Sequence, residues 1–305
     1  MINIFKKSKK ELITHDGSFH ADDIFSAAAL SIYLENKGHK FEIIRTRDQK
    51  IIDKGDYVFD VGGVYDPDKN RFDHHQTGGA GRREYDPKIE YASFGLVWKK
   101  FGIEICGSQK ALDSIDKKLV APVDAHDNGF DLAENKYQVS PYLIQNVFFG
   151  MEPTWREEGK DINQVFLKCV SLAKDILSRI IIQTQDALLA EESLISIYKN
   201  TQDKRVLVFD KNYPFQNTLH DYPEPIFVVH PRRTNNYWGV KAVREDPKTF
   251  KNRKNFPNSW AGLRDEELQR ATGVSDAVFC HRGLHMAVAK SKEGAIKLAK
   301  LALIG

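Results

Sequence analysis

The chain has 305 residues, of which 41% are hydrophobic and 29% charged, and its 45 basic and 42 acidic side chains give a formal net charge of +3. This composition is typical of a globular protein, and no apolar run approaches the roughly 18 residues that a membrane-spanning helix needs. The first ten residues lack the apolar stretch of a secretory signal, and three distant cysteines form neither a disulfide framework nor a CxxC zinc motif. We therefore expect a cytoplasmic protein, with the nucleus as the alternative, that is neither secreted nor bound to a membrane. The near-neutral charge also argues against a polyanionic partner.

The first 60 residues alternate between strand and helix patterns. Strands are predicted at residues 11–14, 41–45 and 56–60, with a helix from about 22 to 36 between the first two. This order predicts a parallel sheet, in which ligands bind at the carboxyl ends of the strands. His15 and Asp60 stand at two such ends.

The later part of the chain first reads as helical and then as strand-rich. Apolar residues recur at helical spacing from 162 to 198, which indicates either one helix of roughly 50 Å or two shorter helices with a kink near Gln183. Beyond residue 200 the pattern changes, and the predicted elements are strands at 205–209, 225–229 and 238–243 with a closing helix at 293–303. Two further helices are predicted in the first part of the chain, at 91–101 and 109–123.

The predicted fold is therefore α/β, with two domains. A parallel-sheet domain that includes a long connecting helix occupies residues 1–200, and a smaller α+β domain occupies residues 201–305.

Histidines and aspartates concentrate in a few short segments of the first domain. Imidazole nitrogens and carboxylate oxygens without thiolates suit Mn²⁺, Fe²⁺, Co²⁺ or Zn²⁺, and with enough carboxylates also Mg²⁺. A pair of such ions can activate a water and hold both oxygens of an in-line displacement at phosphorus. The clustered residues are His15, His20, His74, His75 and His126, with Asp16, Asp22, Asp23, Asp60, Asp73, Asp124 and Asp127.

Each of these residues also has a structural interpretation. Asp22 and Asp23 open a predicted helix, where a carboxylate caps amide groups, and Asp60 could simply end a strand. Asp124 or Asp127 could bond the backbone of the following Asn-Gly turn. Convergence of several segments on one sheet edge favours the metal interpretation.

Several long strings resemble a known family. Asp73, His74 and His75 match the tripeptide that names the DHH phosphoesterase superfamily. The strings THDGSFHADD, FDVGGVYDPDKNRFDHHQ, VDAHDNG, FPNSWAGLRDEEL and VFCHRG resemble the melanocyte-proliferating-gene-one family, also called metal-dependent protein hydrolases. This resemblance extends from about residue 11 to 303.

The resemblance implies a ligand set and roles. It implies that two divalent metals are held by His15, His20, Asp22, Asp60, Asp73 and His74, together with Asp124 or Asp127. Asp73 would bridge the metals, His75 would ligate or contact the scissile phosphate, and His126 is a candidate to assist the leaving oxygen. His20 stands where better-known DHH relatives carry an aspartate, which favours Mn²⁺ over Mg²⁺, with Co²⁺ and Zn²⁺ as alternatives.

The second domain carries a basic and aromatic segment. Residues 231–270 contain ten basic and five acidic side chains, with five aromatics interleaved. Basic side chains neutralise phosphates and aromatic faces stack unpaired bases, although core aromatics beneath a solvated surface would give the same pattern. With the family context, the phosphate-binding candidates are Arg232, Arg233, Arg253, Arg264, His281 and Arg282.

The function that the resemblance implies is a 3′→5′ exonuclease on single-stranded RNA, or on DNA. The alternatives are a hydrolase of pyrophosphate or short nucleotides, and a metal-bound nucleic-acid-binding protein without turnover. Splitting the chain at residue 200 gives 27 basic and 31 acidic residues before it, and 18 basic and 11 acidic residues after it. The near-neutral total thus conceals an acidic half suited to cations and a basic half suited to phosphates, and the oligomeric state stays open.

Overall fold

The computed structural model describes residues 9–135 and 137–305, so the basic residues Lys6 and Lys7 and most of the segment tested for a secretory signal lie outside it. The chain divides into two compact units, Met1–Gln185 and Asp186–Gly305. Each unit contains one five-stranded sheet, which makes the protein an α/β protein.

The first unit is built on the predicted parallel sheet. Its strands lie in the order β2-β1-β3-β5-β4, and all neighbours are parallel except the edge pair β4 and β5. The parallel sheet expected from the alternating pattern is therefore confirmed, with a short antiparallel edge. The strands are β1 (Lys10–Thr14), β2 (Phe41–Arg45), β3 (Tyr57–Phe59), β4 (Tyr65–Asp66) and β5 (Arg71–Phe72).

Helices cover this sheet. Helix α1 is almost wholly buried, and its Phe25 ring stacks on Phe94 of α3 with centroids 5.2 Å apart. The predicted helix at 109–123 is three segments, because a π-helical stretch, Asp116–Val120, precedes Pro122, which has no N–H to donate. The helices are α1 (Ala21–Asn36), α2 (Gln49–Ile52), α3 (Ser93–Cys106), α4 (Gln109–Ile115), α5 (Ala121–Asp127), α6 (Ile144–Phe149) and α7 (Ile162–Asn200).

The structure distinguishes between one long helix and two shorter helices after residue 162. Helix α7 is one helix of 39 residues that continues through Gln183, as its lack of glycine and proline allows. The division between the two compact units falls within it.

The second unit has a mixed sheet in the order β6-β7-β8-β10-β9, in which only β6 and β7 are parallel. One face packs Phe227 and Val240 against Leu298 of α10, and the other packs Val228 against Leu194 of α7. The elements are β6 (Val206–Val208), α8 (Gln216–His220), β7 (Phe227–Pro231), β8 (Trp238–Ala242), α9 (Asp265–Thr272), β9 (Ala277–Cys280), β10 (Met286–Ala289) and α10 (Lys292–Ile304).

Among the described residues, no helix combines the length and the apolarity that crossing a bilayer requires.

Candidate metal centre

Four segments of the first unit bring histidines and aspartates together. His15 follows β1, Asp60 follows β3, and His74 follows β5, so three neighbouring parallel strands deliver side chains to one edge of the sheet. The start of α1 adds Asp22, and the last residue of α5 adds Asp127. The predicted meeting of strand ends is therefore present in the structure.

Asp60 lies at the centre of this arrangement. Its Oδ2 is 3.2 Å from Nε2 of His15, and its Oδ1 is 3.4 Å from Nε2 of His74 and 3.6 Å from Nδ1 of His75. Its backbone has a φ of 54°, in the left-handed region that side chains other than glycine seldom adopt. Such strain is commonly retained where a functional side chain must be aimed.

Three groups of side chains each place their ligand atoms within 4.8 Å of one another. Asp60 belongs to two of them, so it is the carboxylate that could be shared between two ions. The groups are His15 with His20 and Asp60, Asp60 with His74 and His75, and Asp22 with His74 and Asp127.

A backbone carbonyl fixes the orientation of the His15 ring. Its Nδ1–H donates to the carbonyl of Asp16 at 2.9 Å, which leaves Nε2 facing Asp60 and Asp23 at 3.2 Å each. Hydrogen bonding at the second ring nitrogen is the usual way in which a protein orients an imidazole ligand.

Asp23 is a site residue that the sequence did not assign. It is fully buried, and its Oδ1 accepts the backbone N–H of His20, while its Oδ2 has no hydrogen-bond partner. The consecutive pair Asp22 and Asp23 was the available signal, but one carboxylate at a helix start is explained by capping alone.

The clustered carboxylates raise the pKa values of the groups around them. Burial lowers the pKa of His15, but the carboxylates of Asp23 and Asp60 outweigh it and raise that pKa to about 10. In the same way, Asp127 and Asp60 overcome burial and raise the pKa of His74 to about 11. For Asp22, burial and then the charge of Asp127 raise the pKa well above its ordinary value.

The residues present fit divalent cations. The donor set is imidazole and carboxylate without thiolate. The buried Nε2 of His74 and Oδ2 of Asp23 lie 3.2 Å from Asp127 and His15, but neither makes a hydrogen bond of good geometry. Buried polar atoms without partners are costly, and a cation among them would satisfy them.

The structure separates the two candidates Asp124 and Asp127. Oδ2 of Asp127 lies 3.2 Å from Nε2 of His74, within a candidate group. Asp124 instead accepts the N–H of Gly95 at 3.0 Å and pairs with the buried guanidinium of Arg83 at 2.7 Å. Asp124 therefore neutralises a helix N-terminus and an arginine and lies in none of the candidate groups.

The carboxylate of Asp73 is held by backbone amides. It accepts the backbone N–H groups of Gly63, His74 and His75, and it lies 2.7 Å from Nδ1 of His75. Asp73 lies in none of the three groups found among the described residues, and its role as a bridging ligand stays a prediction. His126 is exposed and belongs to none of the groups found among the described residues.

The predicted phosphate-binding residues of the second unit differ in their contacts and in their exposure to solvent. Arg253 donates to four backbone carbonyls, and Arg264 lies over the ring of Phe279 at 4.6 Å, so both have structural partners. Arg282 is exposed, and Nδ1 of His281 accepts the N–H of Gly283.

Arg232 lies near His230 and Lys241, which were not among the predicted phosphate-binding residues. Its buried Nε and the buried Nε2 of His230 both lack hydrogen-bond partners. Burial and the charges of Arg232 and Arg233 lower the pKa of Lys241. The imidazole of His230 fits because its cross-strand partner is Gly239, where a Cβ would lie 3.0 Å from Nε2. The one sequence signal was a histidine inside the apolar run of β7.

Comparisons with known proteins agree with the resemblance in the sequence. Residues 11–303 match the MYG1_exonuc model, described as an uncharacterised protein family (UPF0160). The chain is 28% identical to the MYG1 protein of Schizosaccharomyces pombe over 96% of this chain and 97% of that one, and 27% identical to the human MYG1 exonuclease over 98% and 88%.

A solved structure of the exonuclease RecJ bound to manganese aligns over 97% of this chain and 90% of its own at 12% identity, with a TM-score of 0.26, too low to support a structural argument. The match to the family model covers nearly the whole chain, and the protein belongs to the MYG1_exonuc family.

Proposed function

We propose that the protein is a divalent-metal-dependent phosphodiester hydrolase, acting as a 3′→5′ exonuclease on single-stranded RNA. The observation that carries the proposal is Asp60, whose two carboxylate oxygens face His15 and His74, each of which belongs to a group of potential metal ligands at the sheet edge. Relatives named MYG1 exonuclease, which the matches cover over 84–88% of their length, support an exonuclease activity.

The residues of the first unit would divide the work. His15, His20, Asp22, Asp60, His74 and Asp127 would hold two cations, for which we propose Mn²⁺. When such cations are bound, the chemistry they supply is polarisation of the phosphodiester and a lowered pKa for a water.

His75 is the proposed proton donor to the leaving oxygen. Its side chain is 62% exposed, and Asp73 holds its Nδ1 at 2.7 Å, which directs the other ring nitrogen away from that carboxylate. A carboxylate that orients an imidazole and favours its protonated form is a common arrangement for a general acid. His126 has no such partner among the described residues.

The second unit is the proposed substrate-binding unit. Arg232, Arg233 and Lys241 form no ion pair with a carboxylate among the described residues. Unneutralised cationic side chains, among them Arg232 with its unpartnered Nε donor, suit the phosphates of a polyanion. His281 and Arg282 are further candidates. Arg253 is not, because its guanidinium already donates to backbone carbonyls.

The proposal is tested with Mn²⁺ and three substrates: 5′-labelled single-stranded RNA, the matching DNA, and inorganic pyrophosphate. We expect a descending ladder from RNA that chelation abolishes and that Asp60→Asn slows by more than about 100-fold. Asp175→Asn, on the exposed face of α7, is the matched control and should retain the ladder.

Two results would contradict the proposal. Phosphate release from pyrophosphate without cleavage of RNA or DNA would indicate a small-molecule phosphohydrolase. Metal and RNA binding without any product would indicate a binding protein.

A further inference from the structure

An exposed aromatic side chain lies beside the candidate metal centre. Phe149, at the end of α6, is 45% exposed, and its ring meets the ring of His20 edge to face with centroids 6.4 Å apart. His20 in turn belongs to a candidate metal-ligand group with His15 and Asp60. An apolar ring that is left exposed next to such polar residues is a candidate binding surface.

Helix α6 is fixed to the segment that carries His20. The side chain of Gln145 accepts the N–H of Ala21, and the carboxylate of Glu152 accepts the N–H of Phe19 at 3.1 Å. These two hydrogen bonds hold the backbone on both sides of His20. The exposed ring and the candidate ligand therefore belong to one hydrogen-bonded assembly.

Packing also determines where Phe149 points. The preceding residue, Phe148, is fully buried and packs edge to face on Phe25 of α1 with ring centroids 5.8 Å apart. Successive residues of a helix point about 100° apart, so burying Phe148 turns Phe149 towards solvent. The ring is thus held in place before any ligand binds, which reduces the entropy lost on binding.

We propose that Phe149 is a stacking surface for the unpaired base of the nucleotide whose phosphate lies at the metal centre. This inference rests on the proposed function and specifies its substrate class. A base inside a duplex has neighbours on both faces, whereas an unpaired terminal base offers a free face to an aromatic ring. Stacking on Phe149 therefore requires a base with a free face, which the terminal base of a single strand provides.

The test compares two RNA substrates that differ only in the base of the 3′-terminal nucleotide, which is present in one and absent in the other. Base–aromatic stacking contributes about 1–3 kcal/mol, so Phe149→Leu should lower kcat/KM for the intact RNA by about 5- to 150-fold. The same variant should change kcat/KM for the abasic RNA by less than about twofold. Phe149→Trp should restore the preference for the intact end.

A matched control and a folding check accompany these variants. Phe250→Leu replaces an 88% exposed phenylalanine of the second unit and should leave the ratio between the two substrates unchanged. Equal losses on both substrates, no loss on either, or the same change from Phe250→Leu would overturn the inference. An unchanged thermal unfolding midpoint for Phe149→Leu would show that the variant is folded as stably as the wild type.

A binding measurement separates failure of this inference from failure of the proposed function. Fluorescence anisotropy of the two labelled RNAs requires no turnover. If the wild-type protein cleaves neither RNA, the proposed function fails, and the anisotropy result alone decides the role of Phe149. Weaker binding of the intact RNA to Phe149→Leu, with unchanged binding of the abasic RNA, would support the stacking role. Equal affinities of the wild type and Phe149→Leu for the intact RNA would refute it.

Discussion

Arg83 is a fully buried arginine whose guanidinium is enclosed by acceptors. Its Nε and Nη2 donate to the two oxygens of Asp116 at 3.0 and 2.9 Å, Nη2 also reaches Asp124, and the ring of Tyr91 lies 4.6 Å away. The two carboxylates outweigh burial and raise its pKa, so it remains charged. The segment 78–82, which contains three glycines and precedes Arg83, is therefore anchored at its end.

Replacing Arg83 should be strongly destabilising. Arg83→Met would leave two buried carboxylates without their partner, and breaking a buried pair in this way costs about 3–5 kcal/mol. Arg83→Lys should recover little, because an ammonium cannot reproduce the forked geometry. Chemical denaturation measures the free energy of unfolding. Arg82→Met, which removes an exposed neighbour paired with Glu90, is the control, and equal losses for both variants would contradict the prediction.

Protonation of the histidines predicts how metal binding depends on pH. His15 and His74 hold protons in the metal-free protein, since their pKa values are raised to about 10 and about 11. A cation that binds their Nε2 atoms must displace those protons, so Mn²⁺ should release about one to two protons at pH 7.5 and bind more tightly as pH rises. Calorimetry in two buffers of different ionisation enthalpy counts them. An identical heat in both buffers would argue against ligation by these histidines.

At the scale of elements, the N-terminus of α3 receives two carboxylates. Asp22 accepts the N–H groups of Ser93 and Phe94, and Asp124 accepts that of Gly95, so three amides that have no partner within the helix are satisfied. These hydrogen bonds connect α1 and α5 to the start of α3, and so they hold the helices that carry Asp22 and Asp127 beside the candidate metal centre.

Gly95 is required by this arrangement. A Cβ at this position would lie 1.9 Å from Oδ2 of Asp124, although alanine is ordinarily the better helix former. Gly95→Ala should therefore destabilise the protein by about 1–3 kcal/mol and lower its affinity for Mn²⁺. Gly102→Ala, on the same helix, meets only side chains at 3.0–3.1 Å and should cost less. The prediction fails if thermal unfolding gives the opposite order.

The sequence could predict which strand ends converge but not which carboxylate occupies each position. His15 and Asp60 were predicted because strand patterns place them at one edge of a parallel sheet, and His74 because it belongs to the DHH tripeptide. The choice between Asp124 and Asp127 depends on a helix packed against α1 and α3, and the use of Asp73 by backbone amides depends on a turn. Such contacts are tertiary, and local periodicity carries no information about them.

At the scale of the whole molecule, charge is divided unequally between the two units. Met1–Gln185 contains 26 basic and 28 acidic residues, a net charge of −2, whereas Asp186–Gly305 contains 19 basic and 14 acidic residues, a net charge of +5. The unit with the candidate metal ligands is therefore the more acidic one, and the other unit is the more suited to phosphates.

This division predicts a salt-dependent affinity for single-stranded RNA. Each neutralised phosphate contributes about −0.7 to the slope of log K against log salt, so Arg232→Gln with Lys241→Gln should make the slope shallower by about 1.4. Arg205→Gln removes an arginine that already pairs with Asp203 and should leave the slope unchanged. Fluorescence anisotropy between 50 and about 200 mM salt gives these slopes, and identical slopes for all variants would refute the prediction.

The π-helical stretch Asp116–Val120 sets the rotation of everything that follows it in α5. A single extra residue in a helical turn rotates the downstream helix by about 100° about its axis. The orientation of Asp127 towards His74 is therefore set about two turns earlier in the chain, in a segment that contains no candidate ligand. Deleting Lys118 would leave every proposed metal ligand in the sequence and yet turn Asp127 away from the others. The integrity of the centre thus depends on the number of residues in this stretch as well as on the identity of the ligands.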